Sequence, residues 1–152
     1  MEWNLIRAWN NAYRFARQLA AQASLEMRRG IVDGFARRSR RDAADWVTDI
    51  DLKIEHFVRA QVESTFPGHA IVGEEYGRAD DLGDYVWYID SIDGSINCAH
   101  NLPWSCFSIS LTKSGIPIVG VVATSYDASW LSTYHVTGSE DIDSPDIDTT
   151  TG

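Results

Sequence analysis

Residues 85–97 read YVWYIDSIDGSIN, an apolar run followed by two aspartates, a glycine and a serine. The apolar run predicts a buried strand. Asp90 closes that strand and Asp93 follows three residues later, across a predicted turn, so that both carboxylates can reach one side. Gly94 allows the backbone to approach a ligand closely. A short helix predicted to start at Ser95 would point its N–H groups at whatever the carboxylates hold.

A second acidic pair, Glu74 and Glu75, follows another apolar run at Ala70–Val72. Two strand ends of this kind can aim several carboxylates at one point. Clustered carboxylates repel one another unless a cation or a proton compensates, and hard oxygen ligands suit Mg²⁺, Mn²⁺ or Ca²⁺. The pattern therefore predicts a metal site that handles phosphate. For residues 90–95 alone, an ordinary acidic turn that caps a helix is the alternative.

Composition narrows the classes of protein. The 152 residues suit one ordinary domain with its own core. The net charge of −9 argues against a nucleic-acid polymer as partner. Two cysteines, Cys98 and Cys106, form neither a disulfide framework nor a zinc pattern. The sequence shows no apolar stretch long enough for a bilayer and no signal peptide, so we expect a cytoplasmic protein with no membrane partner.

Helical periodicity appears twice in the first half of the chain. Apolar residues recur at helical spacing over residues 2–28, and Gly30 is predicted to end that helix. The basic run at residues 34–41 predicts an exposed loop or hairpin. Thr48 is a predicted N-cap of the second helix, which Pro67-Gly68 stops.

A series of strands follows the helices. Short strands are predicted at Ala70–Val72, Tyr85–Ile89, Ser105–Thr112, Ile116–Thr124 and Trp130–Val136. Ser114-Gly115 predicts a tight hairpin between antiparallel neighbours. The fold class is therefore α+β, with two N-terminal helices packed on a mainly antiparallel sheet. We expect one domain over residues 1–137 and an acidic, disordered tail over residues 138–152.

Four motifs in register carry a family resemblance. They are DWVTDID at 45–51, FPGH at 66–69, VGEE at 72–75 and WYIDSIDGSIN at 87–97. Together they resemble the inositol monophosphatase family of Mg²⁺-dependent, lithium-sensitive phosphatases, over about residues 5–136. The resemblance implies an inositol-monophosphatase-like N-terminal half with Mg²⁺ as cofactor. Three residues depart from the family pattern: Ser91 replaces proline, Ser95 replaces threonine and Cys98 replaces phenylalanine.

The resemblance also implies a set of metal ligands. Glu74 and Asp90 would hold a first metal together with the Ile92 carbonyl. Asp90 and Asp93 would share a second metal, and Glu75 would contact a weaker third one. All of these donors are oxygen atoms, which agrees with the residue chemistry above.

Catalytic and phosphate-binding roles follow from the same resemblance. Ser95 would help to activate the attacking water, and Asp51 would hydrogen-bond to its hydroxyl and polarise it. The backbone N–H groups of Gly94 and Ser95 would bind phosphate.

The implied reaction is Mg²⁺-dependent hydrolysis of a small phosphate monoester, first of all inositol monophosphate. Histidinol phosphate, fructose 1,6-bisphosphate and a 3′-phosphoadenosine nucleotide are alternative substrates of the same fold. A non-catalytic metal-binding or interaction module is an alternative of another class. No stretch resembles the Trp-Asp-x-Ala motif, in which the family's second half supplies a further metal ligand. We therefore expect a truncated member that turns over little or nothing alone. A homodimer is also implied.

Overall fold

The computed structural model describes residues 2–33, 37–39, 46–78, 80–100, 102, 104–124 and 131–134. Three predictions lie outside these residues. They are the tail over residues 138–152, the domain boundary at residue 137 and the ends of the strand predicted at residues 130–136. Asp45, the first residue of one motif, lies outside them as well.

Helix α1 spans Glu2–Asp33 and is longer than the sequence predicts. Gly30 lies inside the helix, so the prediction that it ends the helix is wrong. The reason is packing: Ile31 lies four residues after the buried Met27 and packs against the core, which extends the apolar stripe past the glycine. None of the helices in the described part of the chain is long and apolar enough to cross a membrane.

The basic segment and the second helix follow α1. Strands β1, Arg37–Ser39, and β2, Trp46–Thr48, pair antiparallel, and the rest of the predicted loop or hairpin lies outside the described residues. Helix α2 spans Asp49–Thr65 and begins directly after Thr48, as predicted. The chain turns at Gly68, whose φ of +92° is a conformation that glycine adopts readily.

A six-stranded sheet forms the second layer. Its strands are β3 (Ala70–Gly73), β4 (Gly77–Arg78), β5 (Tyr85–Asp93), β6 (Cys106–Lys113), β7 (Ile116–Thr124) and β8 (Leu131–Tyr134), in the order β4-β3-β5-β6-β7-β8. Only β3 and β5 pair parallel; the other neighbours are antiparallel. A short helix of five residues, α3, spans Ser95–Ala99. The predicted α+β class with a mainly antiparallel sheet is confirmed.

The core lies between the two long helices and one face of the sheet. Alternate residues of the strands point into it, and Trp87 and Phe107 are the largest side chains that are fully buried. The β6–β7 hairpin turns at Ser114 and Gly115, which have φ values of +50° and +80°. Positive φ at both central residues matches the right-handed twist of the flanking strands, so the predicted hairpin is confirmed.

Candidate active site

Parallel pairing brings the two acidic clusters together. Gly73 at the end of β3 lies opposite Ile89 of β5, so Glu74 and Asp90 follow at the same level of neighbouring strands. A cleft of about 290 Å³ opens at this edge. It is lined by Val72, Gly73, Glu74, Tyr88, Ile89, Asp90, Ser108 and Ser110. The structure therefore places Glu74 and Asp90 on one cleft, as the two strand ends predict.

The segment between the two aspartates is a bulged strand and not a turn. Asp90 pairs with Ser108 of β6, and Asp93 pairs with Cys106. Three steps along β5 thus oppose two steps along β6, so one extra residue is inserted, which is a β-bulge. The prediction that the strand closes at Asp90 is wrong, because pairing with β6 keeps the segment extended to Asp93. The bulge bends the strand and re-aims its side chains.

Electrostatics mark Asp90 as the centre of the acidic cluster. Burial, followed by the negative charges of Glu74, Asp93 and Asp51, raises the pKa of Asp90 to about 6, although a hydrogen bond from the Ile92 backbone acts in the opposite direction. Three neighbouring carboxylates therefore act on one half-buried carboxylate. Their mutual repulsion is of the kind that a divalent cation relieves.

The donor set fits a hard cation in its chemistry, because every candidate ligand is an oxygen atom. Glu74 and Asp93 are exposed, so their side chains can reach a ligand from solvent. Within the residues that the structure describes, no three histidine, cysteine, aspartate or glutamate side chains converge on one metal position. The metal ligands named from the sequence thus remain predictions.

Ser95 lies between a backbone carbonyl and a buried carboxylate. Its hydroxyl donates to the Ile92 carbonyl oxygen at 2.8 Å, and its Oγ lies 3.4 Å from Oδ1 of Asp51. Asp51 is 2% exposed, in the first turn of α2. The structure therefore brings the two predicted catalytic residues together, and it adds the Ile92 carbonyl as the nearer partner of the serine hydroxyl. Their catalytic roles stay predictions.

Gly94 is the N-cap of α3 and has a φ of +85°. A Cβ atom at this position would lie 2.6 Å from the Trp104 carbonyl oxygen. The Asn97 side chain donates to the same carbonyl at 2.8 Å. The glycine is thus required by its own backbone conformation and by the adjoining chain, which was not foreseen from the sequence. Its N–H group and that of Ser95 remain the predicted phosphate donors.

Glu55 is a buried acid that the sequence reading missed. It is 0% exposed, and its carboxylate accepts hydrogen bonds from the backbone N–H groups of Glu75 at 2.7 Å and Tyr76 at 3.1 Å. The predicted third-metal ligand, Glu75, is therefore tied to α2 through its backbone. A signal was available: Glu55 lies one helical turn after Asp51 and next to the apolar stripe, a position where an acid needs partners.

Both cysteines are free thiols. Cys98 is fully buried in α3, as expected of a small apolar residue. Burial, followed by the charges of Asp93 and Asp90, raises the pKa of Cys106 to about 11. Its Sγ lies 3.8 Å from Oδ2 of Asp93. A thiol that stays protonated is a poor nucleophile.

Comparison with known proteins places this arrangement in a family. The model of the inositol monophosphatase family matches residues 9–141. The chain belongs to the inositol monophosphatase family. It is 38% identical to the inositol-1-monophosphatase of Synechocystis sp. over 105 residues, which are 68% of this chain and 36% of the relative. It is 30% identical to the inositol-1-monophosphatase of Bacillus subtilis over 130 residues, which are 84% of this chain and 48% of the relative.

Solved structures share the fold. The extragenic suppressor protein SuhB of Bartonella henselae superposes with a TM-score of 0.74 at 22% identity, over 82% of this chain and 49% of that one. An IMPase/NADP phosphatase solved with Mg²⁺ and phosphate superposes with a TM-score of 0.64 at 22% identity, over 70% of this chain and 41% of that one. The chain thus spans about half, or less, of the length of the proteins it matches.

Proposed function

We propose that this chain forms the metal-binding and water-activating part of a phosphoric monoester hydrolase that acts on a small phosphorylated substrate. The observation that carries the proposal is the half-buried Asp90, whose pKa is raised to about 6 by burial and then by the charges of Glu74, Asp93 and Asp51. A folded protein seldom keeps carboxylates in such mutual repulsion unless a cation binds between them.

Mg²⁺ is the proposed cofactor. Glu74 and Asp90 would hold a first ion, with the Ile92 carbonyl as a neutral donor. Asp90 and Asp93 would share a second ion, and Glu75 would contact a weaker third one. When bound, Mg²⁺ lowers the pKa of water and neutralises charge on the phosphoryl oxygens. The relative solved with Mg²⁺ and phosphate supports this choice.

Ser95 and Asp51 would act on the proton of the attacking water. The Ser95 hydroxyl can accept a hydrogen bond from the attacking water. At the same time it can donate its own hydrogen to the Ile92 carbonyl oxygen at 2.8 Å or to Oδ1 of Asp51 at 3.4 Å. Burial of Asp51 keeps its carboxylate dry, which strengthens the interaction with a neighbouring hydroxyl. The N–H groups of Gly94 and Ser95 would orient the phosphate group.

Inositol monophosphate is the first proposed substrate, since the relatives from Synechocystis and Bacillus subtilis are named for it. An assay of phosphate release tests the other phosphate monoesters. Phosphate release should be compared for inositol 1-phosphate, fructose 1,6-bisphosphate, histidinol phosphate and a 3′-phosphoadenosine nucleotide, with the Bacillus subtilis relative measured beside it. We expect turnover well below that relative's. Metal binding with no release of phosphate, both by this chain and by a version extended to the length of its relatives, would instead support the non-catalytic module.

Metal binding is the direct test of the site. Calorimetric titration with Mg²⁺ and Mn²⁺ should show binding in the protein and none in Asp90→Asn. Asp84→Asn is the matched control, because Asp84 is exposed and lies just before β5, six residues from Asp90 at the other end of the strand. Equal binding by the protein and Asp90→Asn, or no binding at millimolar metal, would refute the proposed site.

A further inference from the structure

The buried Glu55 forms an ion pair with the partly buried Arg59, beside the turn that carries Glu74 and Glu75. Nε of Arg59 donates to Oε1 of Glu55 at 2.8 Å, and the Glu55 side chain is 0% exposed. The two residues lie four apart on α2, a spacing at which helical side chains meet. A buried carboxylate is retained when its charge and its lone pairs are all engaged.

The remaining partners of this pair belong to one short segment, residues 74–77. The N–H groups of Glu75 and Tyr76 donate to Oε2 and Oε1 of Glu55 at 2.7 and 3.1 Å. Arg59 donates through a second nitrogen to the carbonyl oxygen of Gly77. The Arg59 guanidinium also lies 5.9 Å from the centre of the Tyr76 ring. The pair therefore holds the segment by its backbone at three consecutive residues.

Gly73, the residue just before this segment, is in close contact with the same carboxylate. A Cβ atom on Gly73 would lie 2.1 Å from Oε1 of Glu55, far inside contact distance. The carboxylate thus rests against the backbone of the last residue of β3. Glu74 lies between this contact and the hydrogen bond at Glu75, so the backbone on both of its sides is fixed by one side chain.

We infer that Glu55, with Arg59, is a positioning residue that sets the backbone of Glu74 so that its carboxylate faces Asp90. The inference rests on the proposed function, because it assigns Glu55 a part in metal binding. Glu55 is not itself a ligand: its two oxygens are occupied by Arg59 and two backbone N–H groups. Side chains that orient metal ligands typically change metal affinity by about 10–100-fold when they are replaced.

The decisive measurement is the Kd for Mn²⁺ by calorimetry, at a temperature where circular dichroism shows each variant folded. Glu55→Gln keeps the shape of the side chain but replaces one acceptor oxygen by a donor, so one hydrogen bond to the segment is lost. We expect Mn²⁺ binding to weaken about tenfold or more. Glu63→Gln, an exposed change of the same charge on the same helix, should leave the Kd unchanged.

A merely structural role is separated by a destabilised control. Val62 is fully buried on α2, and Val62→Ala should lower the melting temperature with no effect on the Kd. If Glu55→Gln also keeps the Kd of the parent protein, the inference is wrong. Should Glu55→Gln fail to fold, Arg59→Lys decides: it keeps the charge but cannot serve Glu55 and Gly77 together, and an unchanged Kd again overturns the inference.

The proposed function can fail separately. If the parent protein binds no Mn²⁺, or if Asp90→Asn binds as well as the parent, the metal site itself is refuted and the positioning role is refuted with it. If Asp90→Asn loses binding while Glu55→Gln retains it, the site stands and only the role of Glu55 is wrong.

Discussion

Two buried serines should respond in opposite directions to the same chemical change. Ser91 is 2% exposed on β5, and its hydroxyl finds no hydrogen-bond partner among the described residues. Ser24 is 3% exposed on α1, and its hydroxyl donates to the Thr124 carbonyl oxygen at 2.6 Å. Replacing each serine by alanine removes one hydroxyl from the core. Only at position 24 does it also remove a hydrogen bond.

The magnitudes follow from desolvation. A buried hydroxyl without a partner costs about 1–3 kcal/mol, so Ser91→Ala should stabilise the protein by about 1 kcal/mol after the loss of a few contacts. At Ser24 the lost hydrogen bond costs about 1 kcal/mol, and the better helix propensity of alanine returns about 0.5 kcal/mol. For a domain of this size, 1 kcal/mol shifts the melting temperature by about 2–4 °C. The two variants should therefore differ by roughly 3–6 °C.

Thermal unfolding followed by circular dichroism, in parallel with urea denaturation, measures both variants against the parent protein. Ser91→Ala should melt higher than the parent and Ser24→Ala lower. A fall in melting temperature for Ser91→Ala would show that its hydroxyl is engaged, and the argument from an unpaired hydroxyl would fail. Equal shifts in the two variants would contradict the role of the Thr124 carbonyl.

Two further predictions concern pH and turnover. Burial lowers the pKa of His69, and Nδ1 of its neutral ring accepts a hydrogen bond from Nε1 of Trp87 at 3.1 Å. In the unfolded chain His69 binds a proton at about pH 6.5, whereas in the folded protein it does so only at lower pH. The free energy of unfolding should therefore fall as the pH drops below that value. Thermal melts of His69→Gln should show a smaller loss of stability at low pH than melts of the parent protein. An equal loss would show that His69 does not cause this pH dependence. In a version extended to the length of its relatives, Ser95→Ala should lower kcat by roughly a hundredfold with Mg²⁺ affinity unchanged. Loss of stability without loss of kcat would show that Ser95 has only a structural role.

Local chemistry determined which parts of the fold could be predicted from the sequence. The strand over Ile116–Thr124 and the turn at Ser114-Gly115 follow from residue types that act within a few positions. The parallel pairing of β3 with β5 could not be predicted in this way, because a short apolar run does not specify its partner. The helix end predicted at Gly30 was wrong for a related reason. The packing of Ile31 against the core stabilises the helix by more than the glycine destabilises it.

The same distinction between local and tertiary features applies to the candidate site. The proximity of Glu74 and Asp90 follows from their predicted places at the ends of two apolar runs, and the proximity of Ser95 and Asp51 is implied by the family pattern. The bulge before Asp93 was missed, since it depends on the register of β6, a strand that begins more than ten residues later. Such register is a tertiary property and leaves no mark on the local sequence.

Helix α2 links the core to the site. Asp51, Glu55 and Arg59 recur every four residues along one stripe, while Ile54 and Val58 lie on the adjacent stripe and are almost fully buried. Neighbouring positions on a helix differ by about 100° in direction, so one rigid element presents an apolar face to the sheet and a polar face to the strand ends. Because side chains of a packed core allow little movement, the packing of Ile54 and Val58 also sets where Asp51 and Glu55 lie. A substitution in this part of the core should therefore disturb the site when it shifts the helix, and leave it intact when it only removes volume.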